Sequence, residues 1–168
     1  YAFFLSFSEI VSSSILQKNK HNLVVHESDL PQGKGWSPLT WQILEGKNEI
    51  PIVLFEATES VDSGVIYLKD KLHFDGTELI DKLRECQAQK TVEMCLHFVK
   101  NYDEVIKNKT NPSGEASYYK RRRPKDSRLN IDKSIKEQFN LLRVVDNEKY
   151  PAFFMLNGKK YILKIQEG

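Results

Sequence analysis

The stretch Val24-Val25-His26-Glu27-Ser28-Asp29-Leu30-Pro31-Gln32-Gly33-Lys34-Gly35-Trp36-Ser37-Pro38-Leu39 decides the fold class of this chain. It opens on the end of a β-branched run that begins at Asn22, so Asn22 to His26 reads as a short buried strand. Pro31, Gly33 and Gly35 then punctuate a loop from Glu27 to Trp36. Ser37 followed by Pro38 is the pattern of an N-cap and a first helical residue, and Gly46 stands where a C-terminal cap belongs. Strand, glycine-bearing loop and capped helix form the repeating unit of α/β folds, which bind ligands beyond the carboxyl ends of their strands. His26 falls at such an end.

Toward the N-terminus, Tyr1 to Leu5 reads as a buried strand, and Ser6-x-x-Glu9 is a capping-box pattern. It opens a helix with Ile10, Val11, Ile15 and Leu16 on its apolar face and Lys18-Asn19-Lys20 at its close. A strand with no lead-in turn suggests a piece of a longer protein, with strands preceding it absent. Toward the C-terminus, Ile52 to Ala57 reads as a strand. Val65 to Leu72 alternates Ile66, Leu68 and Leu72 with Tyr67, Lys69 and Lys71.

Thr77 is placed to cap the longest helix, reaching about Tyr102, with Ile80, Leu83, Val92, Cys95, Leu96 and Val99 inward. A polar stretch from Asp103 to Ser117 carries Asn111-Pro112-Ser113-Gly114. Asp132 or Ser134 then caps a short helix with Ile135, Phe139 and Leu142 on one side. Asn157-Gly158 between the apolar runs Ala152 to Leu156 and Lys159 to Ile165 specifies a two-residue hairpin turn. The expected layout is an α/β core over 1–103, a linker over 104–117, and a small α+β tail over 118–168.

The bulk composition bounds the class. A chain of 168 residues, 40% hydrophobic, with a formal net charge of +2 is an ordinary globular protein, with no global pull toward nucleic acid or a membrane surface. Basic charge is local, at Lys120, Arg121, Arg122 and Arg123. Cys86 and Cys95 lie on one helix without a C-x-x-C spacing, and His73 and His97 complete no ligand pattern with them. Reduced cysteines packed in a core, no metal, and a cytoplasmic setting are expected. No apolar run approaches membrane length.

Two residues invite a chemical reading. His26 alone is compatible with a structural histidine, but its loop lets backbone amides approach a ligand and the helix start at Ser37 adds donors. Asp62, in Val61-Asp62-Ser63-Gly64, is by itself an ordinary turn residue. On neighbouring loops the two could instead form a proton-handling pair.

The run His26-x-Ser28-x-Leu30-Pro31-x-Gly33-x-Gly35-x-Ser37-Pro38, with Asp62-Ser63-Gly64 two strands later, resembles the formyltransferase family that uses 10-formyltetrahydrofolate, a family that includes methionyl-tRNA formyltransferase and the sugar N-formyltransferases. Tyr119-x-Arg121-Arg122-x-Pro124-x-Asp126-Ser127-x-Leu129, Leu142-Arg143 and Tyr150-Pro151-Ala152-Phe153 are similar to the sugar enzymes. The resemblance implies a Rossmann-like core in which an amine attacks the formyl carbon, with His26 handling the amine's proton and Asp62 orienting His26. It also implies that Leu5, Ser6 and Phe7 line the pterin pocket, together with Ser28, Leu30, Gly33 and Gly35.

The acceptor side would fall to Trp36, Ser37, Pro38, Lys120, Arg121 and Arg122. The family places Asn two residues before the His as an oxyanion donor. Here that position is Val24, with Asn22 the nearest amide on the same strand face, about 6–7 Å further back. Asn22 reaching round or backbone amides replacing the donor are both open.

The leading expectation is formyl transfer from 10-formyltetrahydrofolate to a nucleotide-linked amino sugar. The short tail favours a sugar over tRNA, whose phosphates call for a larger basic domain. Methionyl-tRNA formyl transfer and a non-catalytic binding or scaffold fragment are the alternatives, and binding to nucleic acid through Lys120 to Arg123 alone is a third. A homodimer through the C-terminal hairpin, with Phe153, Phe154 and Met155 at the contact, is a further expectation.

Overall fold

The structure is a computed structural model that describes residues 1–6 and 11–168. Its strands are β1 (Ala2–Phe4), β2 (Asn22–His26), β3 (Lys34–Gly35), β4 (Glu49–Glu56), β5 (Ile66–His73), β6 (Tyr118–Tyr119), β7 (Ala152–Leu156) and β8 (Lys159–Leu163). Its α-helices are α1 (Ser13–Leu16), α2 (Pro38–Leu44), α3 (Ile80–Lys100), α4 (Tyr102–Lys107) and α5 (Phe139–Arg143).

The central sheet runs β1-β2-β4-β5, with β1 parallel to β2 and the other pairs antiparallel. The α/β class and the terminal hairpin expected from the sequence are both present. β1 and β2 therefore end on the same side of the sheet, where His26 stands.

The core lies between the sheet and α3. Leu23, Ile50, Ile52 and Leu54 meet Leu83, Met94 and Phe98 there, with Leu39 and Ile43 of α2 closing one flank. β4 is buried on both faces because Val53 and Phe55 pack the opposite way, against Leu30 and Ile66. β1 is only half-buried, and Leu5 beyond it is 46% exposed, contrary to the buried strand expected there. The capping box at Ser6-x-x-Glu9 falls largely outside the described residues.

Two helix readings need correction. α3 starts at Ile80 after Leu79, while Thr77 bonds back to Asp75. Its inward residues are Leu83, Met94 and Phe98, whereas Val92, Leu96 and Val99 face outward. In the stretch expected to be a loop from Asp103, α4 takes the first residues, and Thr110 then pairs with Ile66.

The C-terminal part is tied to the core by a buried Arg143. Its Nε donates to the Glu78 carbonyl, Nη1 to the side chains of Asn48 and Asn140, and Nη2 to Glu78 Oε2 at 2.9 Å. The hairpin turns through Asn157 and Gly158, both at positive φ as the sequence required, and Ala152 and Phe154 pack on Leu129, Leu142 and Val145. Phe153 is buried as well, so the apolar residues considered for a dimer contact are partly used inside this chain.

Candidate active site

A cavity of about 410 Å³ opens where β1 and β2 end together. Phe4, Leu5, Val24, Val25 and Phe55 give it an apolar wall, and His26, Glu27, Asp62, Gln87 and Thr91 give it a polar one. Gly35, Trp36, Ser37 and Pro38 form one rim, and Ala57, Thr58, Ser60 and Val61 contribute another.

Within it, the two residues singled out for chemistry meet. His26 Nε2 lies 3.6 Å from Asp62 Oδ2, with both side chains largely buried. The same nitrogen is 2.9 Å from the Gly33 carbonyl oxygen. A carbonyl can only accept, so Nε2 carries the proton and Nδ1 is the ring's lone-pair nitrogen. Asp62 is held by a different donor: the Gly35 amide gives its hydrogen to Oδ2 at 2.8 Å. Gly35 can do this because it sits at φ +97° with Tyr119 O only 2.6 Å from where a Cβ would be. The β3–β6 pairing, Lys34 with Tyr118 and Gly35 with Tyr119, is what fixes that loop.

The backbone around the cavity is unusual. Among the described residues the non-glycine positions in the left-handed region are Ser6, Ser37, Asp62 and Asn157, and the first three line the cavity. Asn157 belongs to the hairpin turn, where that conformation is ordinary. Ser37 precedes α2 as expected, but at φ +50° it makes no side-chain cap bond. Gly64 closes the Asp62 loop: a Cβ there would overlap the Glu56 carbonyl oxygen, so only glycine allows the loop to fold back on β4.

Other sequence candidates divide. Leu5, Ser6, Gly35, Trp36, Ser37 and Pro38 line the cavity, and Phe7 lies outside the described residues. Ser28, Leu30 and Gly33 do not line it. Leu30 is core, its peptide to Pro31 is cis, and Ser28 is buried with a partnerless hydroxyl. Gly33 works one layer back, through its carbonyl on His26 and its amide on Ser117 Oγ.

Asn22 does not reach round. It lies at the far end of β2, where its Nδ2 donates to Leu16 O and its backbone amide to Glu56. Of the basic run, none lines the cavity, but the Arg121 guanidinium stands 4.6 Å from the Trp36 ring centre and Lys120 Nζ 5.6 Å from that of Trp41. Arg122 is half-buried and donates to Asp126 O.

Residues 1–99 match the family model described as Formyl transferase. The chain belongs to the formyl transferase family. Methionyl-tRNA formyltransferase of Rickettsia prowazekii is 28% identical over 111 residues, covering 66% of this chain and 37% of its own length. The chain thus spans well under half of that relative.

Two solved structures share the fold of this formyl transferase family member. A sugar N-formyltransferase from a Shewanella species superposes with a TM-score of 0.69 at 16% identity, over 99% of this chain and 69% of that one. HypX from Aquifex aeolicus in complex with tetrahydrofolic acid gives 0.77 at 16% identity, over 97% and 28%.

Several residues of this candidate site carry no local sequence signature. Glu27 is only 7% exposed, its Oε1 accepts from Gln87 Nε2 at 2.7 Å, and burial pushes its carboxyl above the usual range. Its neighbour His26 and the Gln87 bond partly offset that rise, while Asp62 adds to it. Gln87 and Thr91 sit on the inward stripe of α3 between Leu83 and Met94. Polar residues at inward helical positions were the available signal. Lys34, also buried, donates to Ser63 Oγ and so braces the Asp62 loop. Among the described residues no group of three His, Cys, Asp or Glu side chains gathers as a metal site, and no helix is long and apolar enough to cross a membrane.

Proposed function

We propose that this protein moves a formyl group from 10-formyltetrahydrofolate to the amine of a nucleotide-linked amino sugar. The observation that carries the reading is the His26–Asp62 approach of 3.6 Å inside a cavity with one apolar and one polar wall. Phe4, Leu5, Val24, Val25 and Phe55 suit a flat heterocycle such as a pterin, and the folate supplies the activated formyl carbon. His26 Nδ1 takes a proton from the attacking nitrogen, and the imidazolium so formed faces the Asp62 carboxylate. At that separation the attraction is on the order of a few kcal/mol, and it acts only once the imidazolium has formed, so it lowers the charged intermediate relative to the neutral ground state.

The acceptor reading is supported by Trp36, which lines the cavity and carries Arg121 against its face. A guanidinium held there suits a diphosphate, which it can grip through paired charge-assisted bonds. The shared fold with a sugar N-formyltransferase and with a tetrahydrofolate-bound structure agrees with this pairing of substrates. The competing acceptor is methionyl-tRNA, favoured by the 28% identity to an enzyme of that name.

The test is to supply the full-length protein with 10-formyltetrahydrofolate and a panel of nucleotide-linked amino sugars and charged methionyl-tRNA, and to follow release of tetrahydrofolate. Turnover with a sugar that is lost in His26→Ala supports the reading. Turnover with tRNA alone replaces the acceptor, and no turnover with any member overturns formyl transfer.

A further inference from the structure

Among the described residues, Glu27 is the one buried carboxyl of the cavity wall that the reaction above leaves unused. Its Oε1 accepts from Gln87 Nε2 and its own backbone amide also bonds the carboxyl, while no other side chain of the described residues donates to Oε2. Glu27 and its partner Gln87 both line the cavity. No Lys or Arg of the described residues pairs with Glu27, and Gln42 engages only its backbone carbonyl. A carboxyl nine-tenths buried, without a cation of its own and open to a ligand cavity is suited to a ligand that brings the positive charge.

We propose that Glu27 receives the amine acceptor in its ammonium form, holding it through Oε2 and accepting one of its protons. The inference rests on the formyl-transfer reading and adds the step that must precede attack. An ammonium has no lone pair and cannot attack a carbonyl. Transfer breaks one N–H bond and forms an O–H bond at Glu27 Oε2, and the bonding pair stays on nitrogen as the lone pair that attacks the formyl carbon. A second proton, shed as the new C–N bond forms, goes to His26 Nδ1, which returns it to the folate N10 as the bond from N10 to the formyl carbon breaks and tetrahydrofolate leaves. The two neighbours thus divide two proton transfers that one imidazole could not take together.

The titratable groups that act on Glu27 are His26 and Asp62, with Gln87 the neutral donor. Burial raises the carboxyl's proton affinity, which brings it nearer to that of an amine and makes the transfer less uphill.

The experiment compares two ligands in the full-length protein, a nucleotide-linked amino sugar and its N-formyl counterpart, which lacks the ammonium. Binding is measured by calorimetry for the wild type and Glu27→Gln, beside turnover of both proteins across pH. The expected result is a loss of about 10- to 100-fold in amine affinity with formamide affinity unchanged. Turnover of the variant should recover as rising pH deprotonates the free amine. Equal weakening of both ligands, an unchanged amine affinity, or no amine binding by the wild type overturns the proposal. Wild-type protein that binds the amine through Glu27 yet releases no tetrahydrofolate overturns formyl transfer instead, and leaves Glu27 as an ammonium site.

Discussion

Asp62 approaches His26 from the side of the nitrogen that already donates to Gly33, so the carboxylate meets the imidazole without being its hydrogen-bond partner. That arrangement separates charge from orientation. Gly33 sets the tautomer, and Asp62 supplies the negative charge. Asp62→Asn should keep the left-handed backbone, which Asn tolerates as well as Asp, and keep an acceptor for the Gly35 amide. The expected outcome is a fall in kcat of about 100-fold or more with folate binding retained, read by tetrahydrofolate release against equilibrium titration with folate. A fall in binding of the same size would show that the charge serves binding instead.

Gly64 predicts a stability effect. A methyl group there collides with the Glu56 carbonyl, and both the end of β4 and the Asp62 loop must move to admit it. Gly64→Ala should cost about 2–4 kcal/mol in urea unfolding, and the folded fraction should turn over more slowly because Asp62 is displaced.

Glu27 gives the pH dependence. Its carboxyl binds its proton more tightly in the folded protein than in the unfolded chain, because burial disfavours the charge. The folded state therefore holds more protons above the ordinary carboxylate range, and stability contributed by this group falls as pH rises through that range to the folded value. Glu27→Gln removes the term. The variant should gain thermal stability over the wild type at pH 7 and lose that advantage near pH 4, which melting curves at the two pH values would show.

Arg143 predicts the cost of cutting the tail from the core. It is 1% exposed and shares its bonds among Glu78, Asn48 and Asn140. Arg143→Ala should cost about 3–5 kcal/mol and render residues beyond 124 more open to limited proteolysis.

Arg121 tests the acceptor side. Arg121→Ala should raise KM for a nucleotide-linked acceptor about tenfold with kcat nearly unchanged, while leaving the affinity for folate alone.

Much of the candidate site is legible because its residue types are local: His26 ends a β-branched strand, Gly35 follows two residues after Gly33, and Asp62 precedes Gly64. The α/β alternation and the Asn157-Gly158 hairpin were legible for the same reason. α3 was misread because its inward stripe is broken by Gln87 and Thr91, which face the cavity, while Val92, Leu96 and Val99 make a rival apolar stripe outside. Periodicity rewards the more apolar face, and a helix that helps line a polar cavity gives up part of its own signal. Arg143 shows in the sequence only as part of the Leu142-Arg143 pair, because its partners Asn48 and Glu78 lie far away in sequence where no local pattern reports them.

The left-handed serines at 6 and 37 have a practical side. Each holds a conformation that costs an ordinary residue about 1–2 kcal/mol and glycine almost nothing. A laboratory selection for heat-resistant variants would therefore find glycine at both positions among its cheapest gains, on the lip of the cavity itself. Thermal hardening of this protein and preservation of its cavity geometry would then compete for the same two codons.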